Sequence, residues 1–131
     1  MKEMKKGDKV LWNKKMMTVT SVRDGGWQDL VTITDGTETL EVGEYNCVFA
    51  PDGNPDDADV LSRYLWKNGI CGEVSQYGQH TEVFVEWGDW KHDHGFCDHL
   101  MGLVCYKSIG ETVTEDNGSD CYSAIHTYEK M

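Results

Sequence analysis

Val10-Leu11-Trp12-Asn13 and Tyr64-Leu65-Trp66-Lys67 begin two stretches of the chain that follow the same pattern. After the Leu-Trp pair, each stretch has a polar break, a second apolar segment, a loop, and a β-branched third segment, Val31-Thr32-Ile33 or Val83-Phe84-Val85. A pattern that recurs at a fixed offset indicates an internal repeat, and an offset of roughly 50 residues corresponds to one very small sheet or barrel per copy. Trp12 and Trp66 are therefore predicted to occupy matched buried positions.

The predicted fold is mainly β, with two tandem small barrels joined by a short acidic linker. The boundaries follow the turn and linker residues: 1–50 for the first barrel, 51–59 for the Pro/Asp linker, 60–107 for the second barrel, and 108–131 for a C-terminal hairpin or flexible tail. In the second barrel the predicted strands are 60–66, 71–77, 81–87 and 99–106. Within the linker, Asn54 followed by Pro55 is also a pattern that begins a short helix.

The second copy contains three short patterns: Gly72-Glu73-Val74, Val83-Phe84-Val85-Glu86-Trp87-Gly88-Asp89, and the apolar His99-Leu100. They resemble SH3-like small barrels of the KOW and Tudor kind, and Lys6-Gly7-Asp8-Lys9-Val10 is similar to the opening of KOW-type barrels. The resemblance covers residues 5–49 and 60–106, and it implies a barrel without implying a ligand. A Tudor-like aromatic cage for a methylated cation would suit a chain in which acids stand beside aromatic residues.

The composition indicates a soluble cytoplasmic protein. The five cysteines are odd in number and have no C-x-x-C spacing, which is typical of reduced thiols in a cytosol. No apolar run approaches the roughly 18 residues that span a bilayer, and the polar N-terminus has no hydrophobic signal region. We therefore expect neither a membrane partner nor an exported protein.

The charge is distributed unevenly along the chain. Residues 1–15 carry a net charge of +4, so the total of −11 leaves −15 on residues 16–131. A surface that binds a phosphate backbone needs an extended basic face, and an acidic body repels nucleic acid instead. The acidic residues are interpreted either as a solubilising surface or as a surface that engages a basic cleft on another protein.

The densest group of potential metal ligands is His92, His94, Cys97 and His99. On extended chain, residues two apart share one face, so a turn at Gly95-Phe96 would let the two pairs converge as a tetrahedral zinc site. The favoured interpretation is that these side chains alternate between solvent and partial burial on a hairpin and hold no metal. The sequence has no other cofactor motif, so no cofactor is predicted.

Catalytic motifs are absent from the sequence, since it has no G-x-S-x-G, P-loop, strand-linked G-x-G-x-x-G or H-E-x-x-H. We therefore predict that the protein is not an enzyme but a protein-binding accessory protein. The finer hypothesis is a phage-type inhibitor that occupies a basic cleft on a host nucleic-acid-handling protein. The alternative is a metal- or small-ligand-binding protein that uses the histidine group. The predicted contact residues are two tryptophans beside glycine turns and five acids: Trp27, Trp90, Glu38, Glu41, Glu44, Glu82 and Glu86.

Overall fold

The structure is a computed structural model that describes residues 4–70, 72–87, 90–115 and 122–131. Within these ranges, the description excludes the side chains of residues 86–87, 90–94, 113–115 and 122–123. The chain divides into two compact units, Met1–Ala50 and Pro51–Met131. Each unit contains one antiparallel sheet, so the predicted mainly β fold with two small sheets is confirmed.

The first unit is a five-stranded sheet in the order β4-β3-β2-β1-β5. A 3-10 helix, Glu44–Asn46, lies between the fourth and fifth strands. The strand bounds are β1 Lys9–Trp12, β2 Lys15–Asp24, β3 Asp29–Thr34, β4 Thr39–Gly43 and β5 Val48–Phe49. The inward side of these strands packs in a common core, which is the arrangement that alternating apolar and polar residues favour.

The core of the first unit comes from the inward positions of these strands. Its buried members are Met4, Val10, Met17, Val19, Val31, Ile33 and Cys47. Trp12 packs against this cluster but is only half-buried. It therefore lies at the edge of the core, whereas a buried position was predicted. The polar break after Trp12 is a tight turn, in which Asn13 and Lys14 both have positive φ (52° and 63°), as a two-residue hairpin turn of type I′ requires.

The second unit has two helices and a four-stranded sheet in the order β6-β7-β9-β8. Its elements are α1 Ala58–Lys67, β6 Gly72–Tyr77, β7 His80–Trp87, α2 Trp90–Leu103, β8 Tyr106–Glu115 and β9 Tyr122–Lys130. The C-terminal strands pair antiparallel, and β9 lies inside the sheet between β7 and β8. Gly88-Asp89 and the turn of the predicted C-terminal hairpin lie outside the described residues.

The strand predicted at 60–66 is wrong, because this segment lies in α1. Asp57 caps the helix, since its side chain accepts hydrogen bonds from the backbone N–H groups of Asp59 and Val60. The helix ends with Gly69 at φ +92° and with an N–H of Ile70 that donates to the carbonyl of Leu65 at 2.9 Å. This is the Schellman arrangement, which favours glycine at its left-handed position. Trp66 is consequently 69% exposed on α1, and its predicted burial is wrong.

The strand predicted at 99–106 is also largely wrong, because α2 continues through Leu103. The buried residues Cys97, Leu100, Met101 and Val104 recur at the spacing of one helical face. The second unit therefore does not repeat the element order of the first. Neither α-helix in the described part of the chain combines the length and apolar character needed to cross a membrane.

Candidate protein-binding surface

Two aromatic side chains of the first unit stack on each other at its surface. The ring centroids of Trp27 and Tyr45 are 5.9 Å apart, with an angle of 30° between the ring planes. Trp27 is 78% exposed and Tyr45 is 60% exposed. We refer to these two residues as the aromatic corner. The exposure of Trp27 matches the sequence prediction, whereas Tyr45 was not among the predicted contact residues.

The loop that carries Trp27 has a defined local structure. It joins β2 to β3, whose ends pair at Asp24 and Asp29. The N–H of Gly25 donates to the carbonyl of Gln28 at 3.1 Å, and the N–H of Gly26 donates to the Asp24 carboxylate at 2.9 Å. Gly26 has a φ of +97°, a conformation that favours glycine. The tryptophan is therefore presented on a short hydrogen-bonded loop with an aspartate at each end.

Gln28 connects this loop to the 3-10 helix that carries Tyr45. The Oε1 atom of Gln28 accepts a hydrogen bond from the backbone N–H of Tyr45 at 3.1 Å. The same side chain lies against Gly43, where an added Cβ would be 2.5 Å from the Gln28 amide. A larger residue at position 43 would displace the Gln28 amide, so Gly43 and Gln28 together fix the position of Tyr45 beside Trp27.

The three acids predicted as contact residues in the first unit have different environments. Glu38 is exposed in the turn before β4 and lies 3.7 Å from the ammonium of Lys15. Glu41 is exposed on β4 and accepts two hydrogen bonds from Arg23, each of 2.8 Å. Glu44 is only 5% exposed, and its Oε2 atom has no hydrogen-bond partner among the described residues. The prediction of Glu44 as a surface contact is therefore wrong.

The remaining predicted contact residues belong to the second unit. Glu82 lies on β7 and is half-buried. The side chains of Glu86 and Trp90 lie outside the described residues. The predicted set is thus divided between two units, and within the first unit only Trp27 belongs to the aromatic corner.

Net charge also differs between the two units. Residues 1–50 contain seven Lys or Arg and eight Asp or Glu, which gives a net charge of −1. Residues 51–131 contain five Lys or Arg and fifteen Asp or Glu, which gives −10. Nearly all of the acidic excess is therefore in the second unit.

The zinc hypothesis relied on extended chain, which the structure replaces with a helix. Successive residues of a helix are about 100° apart, so positions two apart point in nearly opposite directions. Accordingly Cys97 is fully buried while His99 is exposed. The side chains of His92 and His94 lie outside the described residues. Among the described residues, no three His, Cys, Asp or Glu side chains are placed to hold a metal ion.

Cys97 instead belongs to a buried polar contact between α2 and β9. The Tyr128 hydroxyl donates to the Asp98 carboxylate at 2.6 Å and lies 3.4 Å from the Cys97 sulfur. Burial raises the pKa of the Cys97 thiol to about 11, so the thiol is protonated at neutral pH. His126 is fully buried beside Tyr128, with its Nδ1 atom 3.4 Å from a carboxylate oxygen of Glu111. In the sequence, Ala124, His126 and Tyr128 alternate with other residues, and this spacing predicts that all three point to the same face of a strand.

A polar cavity of about 380 Å³ lies at one end of the second sheet. Its lining includes Asp56, Tyr106 and Lys130. The Lys130 ammonium is hydrogen-bonded to the Asp56 carboxylate and lies 5.0 Å from the centre of the Tyr106 ring. The charges of Asp56 and Lys130 are thus paired with each other within the protein.

Comparison with known proteins does not identify a family. The chain matches no protein-family model, and searches of curated proteins and of solved structures gave no significant match.

Proposed function

We propose that this protein is a non-enzymatic accessory protein that binds a basic protein partner, with Trp27 and Tyr45 as its contact anchor. The observation that carries the proposal is the stacking of two large, exposed rings from different parts of the first unit. Trp and Tyr are enriched among the few residues that supply most of the binding energy of protein interfaces. Because hydrogen bonds of the loop and of Gln28 position the pair, little ordering is required when a partner binds.

The charges around the aromatic corner favour a cationic partner. The Trp27 loop begins and ends with aspartates, Asp24 and Asp29. A Lys or Arg side chain placed over an aromatic face is stabilised by about 0.5–1 kcal/mol at an exposed site. The net charge of −10 on the second unit adds a long-range attraction for a basic protein, which raises the association rate more than the final affinity.

The finer hypothesis is a phage-type inhibitor that occupies the basic cleft of a host nucleic-acid-handling protein. Its support is the sign of the charge, because a cleft that binds phosphate is basic and attracts an acidic protein. The same charge argues against direct binding of nucleic acid by this chain.

The test compares affinity capture from a bacterial lysate by the wild-type protein and by three variants. We expect Trp27→Ala and Tyr45→Ala to weaken retention of the captured protein by about tenfold or more, as truncation of an interface anchor does. Trp66→Ala is the matched control, because Trp66 is 69% exposed but lies in the second unit. The captured protein should then be purified, and its association rate should fall as salt concentration rises.

Two results would contradict the proposal. One is retention of the partner by Trp27→Ala and Tyr45→Ala at wild-type strength. The other is tight binding of duplex DNA by the purified chain at about 0.15 M salt, which would restore a KOW-like nucleic-acid function.

A further inference from the structure

Within the described residues, the second sheet has one face packed against a helix and one face without such a cover. Ala124, His126 and Tyr128 of β9 are buried, and the Tyr128 hydroxyl contacts Cys97 and Asp98 of α2. Successive strand residues point to opposite faces. Ile125 and Thr127 therefore point away from α2.

The strand register shows which side chains share that opposite face. Ile125 is paired with Phe84 on β7 and with Thr112 on β8, and Phe84 is paired in turn with Glu73 on β6. Thr127 is paired with Glu82. We define these six residues as the outer face: Glu73, Glu82, Phe84, Thr112, Ile125 and Thr127.

The outer face has an apolar centre between acidic neighbours. Phe84 is 38% exposed and Ile125 is 37% exposed, and the two are direct cross-strand partners. Glu73 lies beside Phe84 on the next strand, and Glu82 precedes Phe84 by two positions on the same strand. No ion pair is recorded for either glutamate within the described part of the chain. An exposed apolar pair with carboxylate neighbours offers a partner both apolar contact and complementary charge.

We propose that the outer face binds an amphipathic, positively charged helix of a partner protein. Four strands spaced about 4.8 Å apart give a surface wide enough for one helix of about 10 Å diameter. The apolar side of such a helix would pack on Phe84 and Ile125, and its Lys or Arg residues would lie near Glu73 and Glu82. A second copy of this chain would place acid against acid, and an anionic membrane surface would be repelled by the same carboxylates.

The inference relies on the proposed function only for the idea that the partner is a basic protein, since the outer face belongs to the second unit and the aromatic corner to the first. The probe is a synthetic 18-residue Leu/Lys peptide designed as an amphipathic helix, titrated into the isotopically labelled full-length protein. We expect backbone amide shifts concentrated at residues 82–84 and 125–127. A scrambled peptide of the same composition and a Leu/Glu helix are the controls, and neither should cause these shifts.

Variants of the outer face give the quantitative test. Phe84→Ser and Ile125→Ser should each weaken peptide binding by about tenfold, whereas Val22→Ser should not change it. Val22 is the matched control because it is 36% exposed on β2 of the first unit. Glu82→Gln should reduce the association rate and its salt dependence. Thr127→Lys keeps Phe84 and Ile125 and adds a positive charge beside Glu82, so it should also weaken peptide binding. It provides the test if Phe84→Ser does not fold.

Several outcomes would overturn the inference: equal binding of the scrambled peptide, shifts confined to other residues, self-association that Phe84→Ser abolishes, or binding to phosphatidylserine vesicles through this face. Failure of the proposed function is distinguishable, because it appears as indifference of the captured partner to Trp27→Ala and Tyr45→Ala. The peptide titration does not depend on those residues.

Discussion

The hydroxyl of Tyr64 in α1 donates a hydrogen bond to the backbone carbonyl of Leu100 in α2, at a distance of 2.7 Å. The carbonyl of Leu100 is one of the last four carbonyls of α2. In a regular helix, the last four carbonyls have no hydrogen-bond donor within the helix. Tyr64 is fully buried, so water does not replace this bond at the tyrosine. One side chain thus fixes the end of α2 to the only other α-helix of the described second unit.

Replacing Tyr64 by Phe should therefore destabilise the second unit. The expected cost is about 1–3 kcal/mol in the free energy of unfolding, because a buried carbonyl loses its hydrogen-bond donor. Urea unfolding followed by circular dichroism measures this difference. Tyr77→Phe is the matched control, since Tyr77 is 63% exposed on β6 and should change stability by less than about 0.5 kcal/mol. Equal stability of the two variants would show that the Tyr64 hydroxyl contributes nothing.

The strands of the first unit could be predicted from sequence because every second residue is buried. Met17 and Val19, like Val31 and Ile33, alternate with less buried residues, which is the period of a strand with one inward face. The short helix predicted from Asn54-Pro55 begins instead at Ala58 and continues to Lys67, through the segment where the Leu-Trp similarity predicts a strand. Val60, Leu61, Tyr64 and Leu65 recur at helical spacing, and Asp57 and Gly69 are recognisable signals at the two ends.

The candidate surface could be predicted only in part. The glycine turn before Trp27 indicated an exposed aromatic side chain, and the structure agrees. Tyr45 comes from a 3-10 helix that no short-range pattern specified, and its approach to Trp27 depends on the Gln28 side chain. The burial of Glu44, which begins the same 3-10 helix, was not predicted either. A charged residue in a predicted loop is normally exposed.

Adjacent residues of α1 should differ sharply in their contribution to stability. Leu65 is fully buried, so Leu65→Ala should cost about 2–5 kcal/mol through lost burial and the cavity it leaves. Trp66 is 69% exposed, so Trp66→Ser should change the free energy of unfolding by less than about 0.5 kcal/mol. Chemical denaturation of both variants measures the contrast. A large loss of stability in Trp66→Ser would show that Trp66 lies in the core, which would contradict its exposed position on α1.

Two cysteines of the second unit should differ in their reactivity toward a thiol reagent. Cys105 is exposed, whereas Cys97 is fully buried and burial raises its thiol pKa to about 11. Because the thiolate is the reactive form, iodoacetamide at about pH 8 should label Cys105 in the native protein and label Cys97 only after unfolding. Peptide mass spectrometry assigns the label to each residue. Rapid native labelling of Cys97 would show that α2 is not held against β9 as described.

The ion pairs of the second unit predict a loss of stability in acid. The Lys130 ammonium, hydrogen-bonded to Asp56, lowers the pKa of that carboxyl below its ordinary value of 3.8, and Arg63 does the same for Asp52. A carboxyl with a lowered pKa in the folded state binds fewer protons when folded than when unfolded. Its stabilising effect is therefore complete above the ordinary value and is lost as pH falls through the folded-state pKa.

The contribution of these two carboxyls to the melting temperature should accordingly stay nearly constant between about pH 7 and pH 5 and be lost below about pH 4. Asp56→Asn should show a lower melting temperature at neutral pH and a smaller decrease in acid, because its contribution is already absent. Glu73→Gln is the control, since Glu73 is an exposed carboxylate of β6 with no ion pair recorded in the described part of the chain. Thermal unfolding followed by circular dichroism across this pH range measures all three proteins. An Asp56→Asn curve parallel to that of the wild type would mean that the pair with Lys130 does not stabilise the folded state.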